Sequence, residues 1–86
     1  MNWQQVREQY PHKWVIAEAI KAHNEGNQWL VEQLTVFDTY VDVYKALNIY
    51  KQLHQQAPER DYLVVHTDKE HLKISERHWV GIRAAS

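Results

Sequence analysis

His66, Asp68 and His71 fall within VVHTDKEH, where a hydrophobic run gives way to a polar one. Two imidazoles and a carboxylate are ligand types that suit zinc, which takes three or four of them. A strand-to-loop corner could bring the three together, with His78 as a fourth ligand if the last extended region folds back. The spacing matches no HExxH pattern, and a chain without cysteine has no thiolate pair to offer. The simpler account is a turn capped by Asp68 with two partly exposed histidines. No cofactor is expected.

The same region holds ISER, residues 74 to 77, between His71 and His78. Glu76 could orient either ring as an acid–base pair, and Ser75 is close in sequence. A serine triad is recognised by geometry, and no glycine-rich nucleophile elbow supports one here. The expectation is a protein without catalytic chemistry. His54 lies near the end of a helical stretch, where a charged ring would suit the helix dipole. His12 and His23 read as surface residues. Glu59, Arg60 and Asp61 form a polar corner, in which Arg60 could clamp a carboxylate.

Lys73, Arg77 and Arg83 give the C-terminal region a basic side, and Tyr62 and Trp79 could stack on bases. Asp68, Glu70 and Glu76 crowd the same region. The whole chain has 10 basic against 11 acidic residues, for a net charge of −1. Nothing in that balance draws nucleic acid or an anionic membrane.

The elements that must position these groups are legible in outline. NWQQVREQY, residues 2 to 10, places Trp3, Val6 and Tyr10 at helical spacing, and Pro11 ends the run. KWVIAEAIKAH, residues 13 to 23, has helix-forming Ala and Glu but also suits a strand, with Trp14, Ile16, Ile20 and Ala22 on one side. NEGN is a turn signal, and QWLVEQLTVFD beyond it is a strand that needs a neighbour. A hairpin therefore follows. Val43, Ala46, Leu47, Tyr50, Leu53 and Ala57 form the stripe of a central helix, with Thr39 and Asp42 as a loose capping box and Pro58 at the exit. DYLVVHT is a further strand, and a last extended region runs from Leu72 to Arg83, followed by a fraying end at Ala84 to Ser86.

The 86 residues make one small domain. The expected fold is α+β in the order α-β-β-α-β-β: an antiparallel four-stranded sheet with the central and N-terminal helices on one face. Trp29, Phe37, Tyr62 and Trp79 are then more aromatic surface than one covered face can hide. They become candidates for a homodimer or partner interface. No apolar stretch is long enough for a membrane span, and the start of the chain does not read as a secretion signal. With no cysteine, the chain fits a reducing cytoplasm.

KWVIAEAIKAH, YKQLHQQAPERDYLVVHT and ISERHWVGIR together resemble a family of short bacterial proteins, chiefly from Gram-positive bacteria. Some members look like antitoxins of two-gene systems on mobile elements. The resemblance implies no catalytic residue set. The expected function is a small cytoplasmic protein-interaction or regulatory module, with a metal- or ligand-binding domain and a nucleic-acid-binding protein as the alternatives.

Overall fold

The structure, a computed structural model, describes residues 1–75 and 84–85. Asn2 starts the first helix, α1 (Trp3–Gln9), by accepting the Gln5 N–H at 2.8 Å, while the Gln5 side chain accepts the Asn2 N–H at 2.9 Å. This capping box satisfies two donors that a short helix would otherwise leave open. Trp3 and Val6 bury one side of it.

The hairpin forms as expected. β1 (Trp14–Glu25) and β2 (Gln28–Tyr40) pair antiparallel down to Glu25 opposite Gln28, leaving Gly26 and Asn27 as the loop. Gly26 has φ of 63°, a conformation that glycine adopts without steric cost. The helix-forming Ala and Glu of β1 are overridden by pairing on both sides, to β2 and to β3 (Tyr62–His66). The central helix, α2 (Val43–Gln56), is capped by Asp42, which accepts the Tyr44 N–H at 3.0 Å. Thr39 lies within β2 and does not cap it.

The sheet departs from expectation. Its antiparallel body is three-stranded, β2-β1-β3, and not the four-stranded sheet of two joined hairpins. Two short edge segments, β4 (Lys73–Ser75) and β5 (Ala84–Ala85), extend the order to β4-β2-β1-β3-β5. β4 joins β2 rather than its chain neighbour β3, and β5 runs parallel to β3 where a fraying end was expected. The reason lies between β3 and β4. Leu72 is buried in the cluster beneath α1, and Lys69 accepts the Trp3 indole N–H at 2.9 Å. These anchors carry the chain past α1 to the far edge, where a tight β3–β4 hairpin cannot form.

The helices also lie on opposite faces, not on one. Val15, Ala17, Leu34, Leu63 and Val65 pack with Trp3 and Val6 of α1. Ile16, Tyr62 and Val64 pack with Ala46 and Tyr50 of α2. Alternation along a strand sends neighbouring residues to opposite faces. A strand covered on both faces must therefore be apolar at every position. Tyr62, Leu63, Val64 and Val65 are buried without a break. Each fully buried aliphatic side chain contributes about 1.5–3 kcal/mol relative to exposure.

Candidate functional site

Thr67 follows β3 and builds the corner that holds the candidate ligands. It is buried, its Oγ1 accepts the Lys13 N–H at 2.9 Å, and its own N–H donates to the Lys13 carbonyl at 2.9 Å. Its carbonyl accepts the Arg7 Nε–H at 2.9 Å. The turn after α1 and the turn after β3 are thereby clamped side by side.

Across that clamp, His12 and Asp68 meet, with Nδ1 and Oδ1 2.6 Å apart. His12 is in the left-handed region, with φ of 56°. Histidine is one of the residue types enriched there, and local context must hold it. Asp68 also approaches His66: its N–H donates to His66 Nδ1 at 3.1 Å, and its Oδ2 lies 3.6 Å from the same nitrogen. A neutral ring that accepts at Nδ1 carries its proton on Nε2. Trp14 stands edge-on to His66, with ring centroids 5.0 Å apart.

The structure thus brings His66 and Asp68 together and exchanges the expected third member. His71 lies apart, its Nε2 3.9 Å from Glu70 Oε1. His12 takes its place beside Asp68, although 56 residues separate the two in sequence. Among the described residues, no group of three His, Asp or Glu side chains is placed to hold a metal ion. The His12–Asp68 pair is open to water, so screening keeps its attraction small. His78 and Glu76 lie outside the described residues, and so does the basic–aromatic surface that Arg77, Trp79 and Arg83 were expected to form.

The candidate interaction residues divide by burial. Trp29 and Tyr62 are 6% and 7% exposed and belong to the core, Trp29 on the α1 side and Tyr62 on the α2 side. Phe37 is 54% exposed and stands edge-on to Tyr62 at 6.4 Å. Trp79 lies outside the described residues. Arg60 reaches Glu18 at 3.6 Å across the corner. Hydrogen bonding to Tyr62, with Glu18 close by, raises its already high pKa.

Phe37 marks a surface that strand assignment alone does not reveal. β4 covers β2 only at Gln28, Trp29 and Leu30. Farther along, Met1 and Leu34 exchange two hydrogen bonds, at 2.8 and 2.9 Å. Beyond them, from residue 35 to residue 40, no strand lies on the outer side of β2 among the described residues. Phe37 sits at a bulge, where the register slips between Ile16 and Ala17. Tyr40 closes the stretch. Partial burial, then the charge of Asp38 and a hydrogen bond to it, raise its pKa above the ordinary 10.0. Val41 and Tyr44, just beyond, are both 79% exposed. The signal in sequence was TVFDTY itself, a β-prone run; the open edge depended on where β4 went.

No protein-family model matches the chain, and no curated protein or solved structure matches it either. Among the described residues, no helix is long and apolar enough to cross a membrane.

Proposed function

We propose that the protein is a non-catalytic, cytoplasmic protein-binding module that takes an extended segment of a partner onto the outer edge of β2. The observation that carries this reading is the edge from residue 35 to residue 40, which no strand covers among the described residues, with Phe37 more than half exposed at its bulge and its ring turned to Tyr62 across β1. An unpaired edge offers a row of backbone donors and acceptors to an incoming strand, and neighbouring side chains select the sequence. Lys and Pro, which often blunt an edge, are absent from β2, while the bulge at Phe37 and Asp38, whose Oδ1 accepts the Thr39 N–H at 2.8 Å, narrow the part of the edge a strand can join. Phe37, Val41 and Tyr44 supply apolar contacts near the edge. An antitoxin-like role is one form of this reading, since neutralising a partner needs surface complementarity and no chemistry.

The test is affinity capture from the native host, with nuclease treatment in parallel, using wild type and Phe37→Glu. The expected result is one protein captured stoichiometrically, nuclease-resistant, and at least tenfold depleted with the variant. Amide exchange over residues 35–40 should slow in the complex. Capture that is unchanged by Phe37→Glu, or protection confined elsewhere, overturns the β2 edge as the surface. Capture lost on nuclease treatment replaces the partner with nucleic acid.

A further inference from the structure

A second feature lies beside the other half of β2, at Leu30 and Val31, with the Met1–Leu34 pair between it and the 35–40 edge. Between α1 and the 70–72 segment runs an open groove of about 430 Å³. That volume lies within the range of small-molecule sites, roughly 300–1,000 Å³. Leu30 is its half-buried apolar wall, with the small exposed margins of the core residues Trp3, Val31 and Leu72 beside it, and Gln4 and Arg7 lie along the α1 side.

Arg7 gives the groove its chemical character. Its Nε–H is fixed on the Thr67 carbonyl at 2.9 Å, and Nη1 lies 3.5 Å from Gln4 Oε1. Both partners are neutral, and Arg7 forms no ion pair among the described residues. A guanidinium whose direction is set by neutral partners keeps its charge and its remaining donors for an anion, and its planar fork matches a carboxylate. The rim also carries one acid, Glu70. Glu70 is 77% exposed and lies 3.9 Å from His71, which also lines the groove.

We propose that this groove binds a small amphipathic monocarboxylate, with its carboxylate on Arg7 and its apolar body against Leu30 and the exposed margins of Trp3 and Leu72. The two requirements are separate: the walls reward an apolar body, and Arg7 rewards the charge. A dicarboxylate or phosphate would leave a second charge among apolar side chains. An apolar amine would bring its charge against Arg7.

The test is titration of the isotopically labelled full chain with 3-phenylpropionate, followed by amide and indole resonances. The neutral 3-phenylpropanamide serves as the matched control. Saturable shifts are expected at Trp3, including its indole N–H, and at Leu30 and Leu72. The amide should bind at least tenfold more weakly. Arg7→Gln should weaken the acid at least tenfold while leaving the amide unchanged, and Arg7→Lys should fall between. The acid–amide comparison on the wild-type protein stands even if Arg7→Gln unfolds the chain. Equal binding of acid and amide overturns the proposal. So does the absence of saturable shifts, or shifts that avoid the groove. A longer peptide bearing the same terminal group and binding tighter than the free acid would overturn the small-molecule assignment in favour of a protein terminus.

Discussion

Thr67 is the residue at which three segments meet. Its hydroxyl accepts the Lys13 N–H, and its carbonyl holds Arg7 of α1. A buried donor stripped of its acceptor keeps its desolvation cost, about 1–3 kcal/mol. Thr67→Val preserves shape and strand preference but removes the acceptor. It should destabilise the protein by about that amount in urea unfolding, while Thr67→Ser costs less. The nearby His12–Asp68 pair shows what sequence could and could not reveal at this scale. Asp68 was legible as a turn residue, and His66 as its neighbour. His12 was not, because its partner is 56 residues away and only the Thr67 clamp brings the two turns together.

At the scale of elements, turns and helix breakers were the readable part. Gly26 and Pro58 act within a few residues of themselves, so local sequence is enough to find them, whereas the Asn2 capping box emerged only from the structure. The start of α2 shows the limit of that reading. Thr39 and Asp42 both have capping side chains, and the choice falls to Asp42 because Thr39 is paired with Val15 in the sheet. Asp42→Ala should cost about 0.5–2 kcal/mol in stability, and Asp42→Asn much less, since either side chain can accept the Tyr44 N–H. Thr39→Ala should leave the exchange rates of the first α2 amides unchanged. Faster exchange there would return the cap to Thr39.

For the whole molecule, the decisive fact is that the helices cover opposite faces of the sheet. That layering turns Trp29 and Tyr62 from candidate contacts into core, and leaves Phe37 exposed. Trp29→Ala removes a large buried ring and should cost about 3–5 kcal/mol. Phe37→Ala should cost about 1 kcal/mol or less, in line with exposed substitutions. Comparable losses for the two in thermal unfolding would contradict this division. The 35–40 edge and the Arg7 groove lie along one strand, since Leu30 and Val31 of β2 line the groove, with the Met1–Leu34 pair between the two.

The helices, the hairpin and the continuous apolar run from Tyr62 to Val65 are legible in the chain alone. These follow from capping chemistry, from turn residues and from side-chain period, all of which act over a few residues. Which face each helix covers, the crossing of β4 to β2, and the edge left uncovered among the described residues are set by contacts between distant parts of the chain. An amphipathic helix packs equally well on either side of a sheet apolar on both, and strand pairing joins residues far apart in the chain. The anchoring of Leu72 and Lys69 against α1 settles both choices at once, because it carries the chain across one face before it can return to the sheet.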